Sequence, residues 1–178
     1  MIRLFAALEI PPEVGADLAR RQRGIEGARW RPLEALHVTL RFVGEVSETV
    51  AADLDGELSA VAAAPFELVL QGAGSFGEGR DLRAVWAGVA ENEALRALAG
   101  KCEAAARRAG LKPEKRAFRP HVTLAYLKRA DREEVARWVA DHNLLQSPPI
   151  RITWFGLWSS TLHPQGSRYE LQREYPLL

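Results

Sequence analysis

The stretch His37-Val38-Thr39-Leu40 recurs letter for letter as His121-Val122-Thr123-Leu124, and the reading of this pair decides the fold. Along a β-strand successive side chains point to opposite faces, so each copy sets its histidine and threonine on one face and its valine and leucine on the other. The apolar pair can enter a core while an imidazole and a hydroxyl stand together in the open. A lone histidine in a strand is more often a packed or surface residue than a reactive one. Here two copies take two of the four histidines and sit in equivalent surroundings, which favours a site.

Those surroundings repeat. Before the first copy, residues 2–9 read as a strand, and Pro12 opens a helix through Val14, Leu18 and Arg21 that stops at Gly24. The first histidine strand spans 36–43. Ser47 caps a helix with Val50, Leu54, Leu58 and Val61 at helical spacing, ending before Pro65. Strands at 66–71 and 83–89 follow, joined by a loop rich in glycine (Gly72, Gly74, Gly77, Gly79). Asn92 caps a third helix, with Leu95, Leu98 and Cys102 inward and Gly110 as its stop. The second histidine strand spans 121–127. Asp131 and Glu134 form a capping arrangement for a helix through Val135, Trp138 and Val139. Strands at 150–159 and 167–175 close the chain, with His163, Pro164 and Gly166 in their turn. Each half is thus helix, histidine strand, helix, strand pair, and no linker divides them. Short loops between strand pairs favour antiparallel neighbours. The expectation is an α+β fold over residues 1–178 as one domain: two pseudo-symmetric lobes of antiparallel sheet, with flanking helices, around a central cleft.

The chain has 178 residues, 47% hydrophobic and 26% charged, which suits a globular protein with a sizeable core. Its single cysteine, Cys102, can form no internal disulfide and no structural zinc site, so a reducing, cytoplasmic setting is expected. Glu9 and Pro11-Pro12 interrupt the apolar N-terminus too early for a signal peptide or a membrane span. A net charge of +1 argues against a surface that coats duplex nucleic acid. Local charge says more. Arg20, Arg21, Arg23, Arg29 and Arg31 lead into the first motif, and Arg107, Arg108, Lys112, Lys115, Arg116 and Arg119 into the second. Solvation is the plain reading of such runs, but their shared position points to an anionic substrate.

Beyond the repeated tetrapeptide, Arg3 to Leu8 followed by Pro11, Arg41-Phe42-Val43-Gly44 after the first motif, Phe118-Arg119-Pro120 before the second, and the tail from Leu157 to Ser160 with Tyr169 and Leu171 are similar to the 2H phosphoesterase family. Within it the chain resembles the RNA 2′,3′-cyclic phosphodiesterases once called 2′-5′ RNA ligases. The resemblance covers nearly the whole chain. It implies hydrolysis of RNA 2′,3′-cyclic phosphate ends to 2′-phosphates, with His37 as proton donor to the 3′ oxygen and His121 as base toward water. It implies no cofactor, no metal and no protein partner. Ligation, the reverse sense of the same chemistry, is expected at most as a side activity. The family's arginine shortly after the second motif is absent here. Tyr126 stands in its place, with Lys128 and Arg129 just beyond, leaving Arg119 or Arg129 as the cationic phosphate contact.

The residue types suit that reaction. Near neutral pH one imidazole can accept a proton while its partner donates one, and in-line displacement needs them on opposite sides of phosphorus. Thr39 and Thr123, on the histidine faces, can donate to the nonbridging oxygens. Catalytic zinc usually takes three protein ligands, and neither motif carries a second histidine, cysteine or carboxylate at chelating spacing. Phe42 and Tyr126 occupy matching positions and can stack on a base at the cleft rim, yet ideal alternation sends both to the core side. The five tryptophans read as packing residues, and His142 and His163 as non-catalytic. Two other readings stand beside hydrolysis of RNA ends: a non-catalytic module that holds such ends, and a phosphodiesterase for small cyclic nucleotides.

Overall fold

The computed structural model describes all 178 residues, Met1–Leu178. In chain order it contains β1 (Ile2–Glu9), α1 (Pro12–Ala19), β2 (Arg29–Trp30), β3 (His37–Val46), α2 (Glu48–Ser59), β4 (Phe66–Leu68), β5 (Leu70–Phe76) and β6 (Ala84–Val89). There follow α3 (Glu93–Arg108), β7 (His121–Tyr126), α4 (Arg132–Asp141), β8 (Ile150–Ile152), β9 (Trp154–Thr161) and β10 (Arg168–Pro176). The helix starts are local chemistry. Ser47 Oγ accepts from the Val50 amide, Asn92 Oδ1 from that of Leu95, and Asp131 Oδ1 from those of Glu133 and Glu134. No helix is long and apolar enough to cross a membrane.

The main sheet is antiparallel, in the order β10-β9-β1-β3-β7-β6-β5, with β2 also pairing β7. The two histidine strands, β3 and β7, share a single register pair, Val38 opposite Val122. That pair is the seam between two lobes, one holding β10, β9, β1 and β3, the other β7, β6, β5 and β2. The lobes are not the sequence halves. The β5–β6 pair, from the first half, lies against the second histidine strand, while β9 and β10, from the second half, lie on the first lobe. A separate two-stranded sheet, β4 with β8, ties the halves again. One cluster of 39 buried residues runs beneath both lobes, including Val38, Leu40, Val122 and Leu124 from the motifs and Leu95, Leu98 and Cys102 from α3. Each fully buried leucine or valine contributes about 1.5–3 kcal/mol.

β3 runs on to Val46, past the expected 43, and α2 ends at Ser59, short of Val61, and three further boundaries differ from the expectation. The helix from Pro12 ends at Ala19, because Gln22 Nε2 donates to the carbonyls of Arg31 and Leu124 and the Arg21 carbonyl accepts from Trp138 Nε1. These tertiary bonds draw residues 20–23 into turns. The expected strand 66–71 divides between two sheets, and its second part runs on as β5 through the stretch taken for a glycine loop. There Gly74 lies under the Trp86 indole, where a Cβ would come within 2.4 Å of ring atoms. The expected strand 150–159 likewise divides, at Thr153.

Both histidine strands also carry a bulge at the fourth letter of the motif. Ala6 and Ala7 face Arg41 and Thr39, leaving Leu40 extra, and Val85 and Trp86 face Ala125 and Thr123, leaving Leu124 extra. A bulge resets the alternation. Leu40 and Arg41 are consecutively buried, as are Leu124 and Ala125, and Phe42 and Tyr126 come out 40% and 44% exposed. The core-side placement that ideal alternation gave these two rings is therefore corrected. Arg41 is turned inward, where Glu103 pairs with its Nε and the Lys112 carbonyl accepts from Nη2.

Candidate active site

Val38 and Val122 bury their side chains beneath the seam, so the residues on either side of them face out of it. His37 and Thr39 come from one strand, His121 and Thr123 from the other, and antiparallel pairing runs the two motifs head to tail. Both imidazoles are anchored alike. His37 Nδ1 lies 2.8 Å from the Ala35 carbonyl and His121 Nδ1 2.6 Å from that of Arg119, in each case two residues back. A carbonyl only accepts, so Nδ1 carries the hydrogen and Nε2 is left free to exchange a proton. His37 Nε2 is 3.1 Å from Thr39 Oγ1, while the Thr123 hydroxyl has no partner within the chain.

Aromatic rings wall both sites. Phe5 (4.8 Å between centroids) and Tyr169 (5.4 Å, edge-on) flank His37. Phe76 (4.7 Å, edge-on) and Trp86 (6.1 Å) flank His121. Burial among these rings disfavours the charged imidazole. It lowers His37 from 6.5 to about 4, against the opposing effect of the Ala35 bond and with the charges of Arg31 and His121 adding to the fall. His121 is also lowered by burial, the Arg119 carbonyl opposing and the Arg119 charge assisting.

Phe42 and Tyr126 stand at the cleft rim with a guanidinium over each: Arg3 Cζ 5.5 Å from the Phe42 ring and Arg31 Cζ 5.4 Å from that of Tyr126. Burial raises the Tyr126 phenol above its ordinary range, Tyr169 adding to the shift and Arg31 opposing it. Arg119 lies over Phe76, 5.6 Å from its centroid, on the His121 side. Arg129 is elsewhere. With Gly79, Arg80, Ala130 and Arg132 it lines a basic depression that contains neither histidine, and its φ of 54° makes it the one non-glycine residue with positive φ. No three His, Cys, Asp or Glu side chains gather where they could hold a metal ion.

Sequence reasoning passed over Phe5, Phe76, Trp86, Tyr169 and Arg31 as site neighbours. Arg31 lay within a basic run already noted. The rings reach the histidines only through strand pairing, which leaves no local mark.

The family model described as 2′-5′ RNA ligase superfamily matches residues 10–163. The chain is 30% identical over 172 residues to an RNA 2′,3′-cyclic phosphodiesterase of Archaeoglobus fulgidus, covering 95% of this chain and 97% of that one. It is 34% identical over 139 residues to the protein of that name from Aeropyrum pernix, covering 77% and 79%. Among solved structures it is similar to E. coli LigT in complex with 3′-AMP, with a TM-score of 0.77 and 26% identity over 99% of this chain and 98% of that one.

Proposed function

The chain belongs to the 2′-5′ RNA ligase superfamily, and from that premise we propose that it hydrolyses RNA 2′,3′-cyclic phosphate ends to 2′-phosphomonoesters. The observation that carries this is the pair of Nδ1-anchored imidazoles on adjoining head-to-tail strands, each with a threonine on its own face. Water attacks phosphorus and gives its proton to His121 Nε2. The bond from phosphorus to O3′ breaks, and His37 Nε2 protonates the departing oxygen. Thr39 and Thr123 donate to the nonbridging oxygens as charge grows there. Phe42 and Tyr126, on the rim, offer faces for a base, and Arg119 offers charge beside His121. Arg129 sits outside this set and would meet only RNA that extends beyond the reacting end.

His37 must be charged to act as an acid, and burial opposes that in the free protein. A bound phosphate anion beside it favours the imidazolium, so the substrate itself arms the acid. The scheme uses no metal and no cofactor. The buried thiol of Cys102 suits a reducing compartment, and the cytoplasm is the proposed setting. A second reading, action on small cyclic nucleotides, is favoured by the likeness to LigT, which was solved with a mononucleotide. Ligation is proposed at most as a side activity.

The test is incubation, in chelator, with a short RNA ending in a 2′,3′-cyclic phosphate, beside adenosine 2′,3′-cyclic phosphate, resolving 2′- from 3′-phosphate product. Turnover to the 2′-phosphate is expected, and His37→Ala and His121→Ala should each lose about 10²- to 10⁴-fold in rate. Folded protein that binds the RNA without turnover would favour the end-binding module instead. Activity that needs a divalent ion would overturn the two-imidazole scheme.

A further inference from the structure

Arg31 is a charged side chain only 8% exposed, yet no carboxylate lies within ion-pair distance of it. Buried charges in proteins are normally paired, because an unpaired one forfeits its hydration. This one is nevertheless held with care. Its amide donates to the Leu124 carbonyl (2.8 Å), the oxygen of the bulge residue, which Gln22 Nε2 also engages. Its guanidinium lies between two phenol rings, 5.4 Å from Tyr126 and 5.4 Å from Tyr169. Its tip donates from Nη2 to the Ser167 carbonyl (3.2 Å), and a Cβ on Gly166 would stand 3.2 Å from Nη1. Tyr169 presses edge-on against His37, so the cation and the imidazole share one wall of the cleft.

We propose that Arg31 is the cation that holds the substrate phosphate on the His37 side, so that the missing anionic partner of this guanidinium is the scissile phosphate itself. This rests on the phosphodiesterase reading above and adds to it the residue that binds the anion. Tyr126 stands in β7, and β2 is the strand beside it, with Arg29 opposite Tyr126 in register. Arg31 directly follows β2, so its guanidinium is delivered from the adjoining strand and stacks on the Tyr126 ring. Arginine is the apt residue, since its planar fork meets two phosphate oxygens at once while its face stacks on the rings. The same charge opposes protonation of His37 until an anion arrives to offset it. Arg31 thereby links binding of the phosphate to arming of the acid.

The experiment titrates inorganic phosphate into the wild-type protein and into Arg31→Met and Arg31→Met/Tyr126→Arg, following histidine ring and arginine Nε resonances by NMR. Rates on the cyclic-ended RNA are measured in parallel. In the wild type the Arg31 Nε signal should move with phosphate together with His37. Arg31→Met should weaken phosphate and lower kcat/KM by about 10- to 100-fold, as loss of a charge-assisted contact does, mainly through KM, and should raise the His37 pKa of the free protein. The double variant should recover much of the loss. A purely structural role would not predict that rescue. An Arg31 Nε signal that ignores phosphate while His37 responds overturns the proposal, and this reading needs no variant to fold. So does Arg31→Met that is folded and matches the wild type in kcat/KM, even if the reaction itself is confirmed. Conversely, phosphate bound through Arg31 with cyclic ends left intact would sink the reaction and keep the anion site.

Discussion

Each imidazole titrates at Nε2, since Nδ1 is committed to a carbonyl, and burial lowers both pKa values below 6.5. In the proposed mechanism the productive form of the pair carries one proton, and lowered values mean that proton leaves the free protein below neutrality. Because kcat/KM follows the free protein, it should peak on the acid side of pH 6.5 and fall as pH rises beyond it. A phosphate anion bound as proposed would raise the His37 pKa, so kcat, which follows the complex, should hold to higher pH. Rates at limiting and saturating substrate across the acid and neutral range check this, and coincident basic limbs would contradict it. The sign for stability runs the other way. Between about 4 and 6.5 the unfolded chain binds more protons at this site than the folded one, so stability falls as pH drops through that window. The threonines are separable by the same means. Thr39→Val and Thr123→Val should each cost about 10²- to 10³-fold in kcat. Only Thr39→Val should also move the His37 titration, because only Thr39 touches an imidazole nitrogen in the free protein.

The paired bulges decide what the two histidine strands present. Without them Phe42 and Tyr126 would lie beneath the sheet, and the cleft would have histidines but no aromatic rim. The strands themselves, the caps at Ser47, Asn92 and Asp131 and the shared face of histidine and threonine were legible, because each depends on neighbours within a few residues. The bulges were not. An extra residue is defined against a partner strand, and nothing around Leu40 or Leu124 marks which residue will be skipped. The β5 strand was hidden for a related reason: its glycines resemble a loop until Trp86 is seen lying across Gly74. That contact predicts a site defect from a remote methyl group. Gly74→Ala would displace the indole that flanks His121, and a shift of about 1 Å at a group that acts in catalysis, as proposed for His121, can cost about 10²-fold. The expected result is a marked loss of kcat/KM with little change in thermal midpoint, and unchanged kcat/KM would show that the indole has room to yield.

The duplication could be read from the repeated order of elements, but the exchange between halves could not, since local sequence does not say which strand a hairpin will join. The exchange has a direct test. Residues 1–90 retain β1 and β3 but lose β9 beside β1, β7 beside β6 and β8 beside β4. This fragment should show no cooperative unfolding transition and no near-ultraviolet dichroism, although it contains one complete motif. A sharp transition would mean that the first half folds by itself. Exchange binds the lobes firmly, yet within the sheet they touch through one register pair. Any counter-rotation of the lobes within the sheet therefore turns about a line through Val38 and Val122. His37 and His121 sit next to that axle, where a given angle displaces them least. Phe42 and Tyr126 ride farther out along the same strands and sweep longer arcs. On the proposed mechanism, the imidazoles are kept still at the pivot, while the rim rings proposed to meet the bases of RNA ends have the lever arm to adjust.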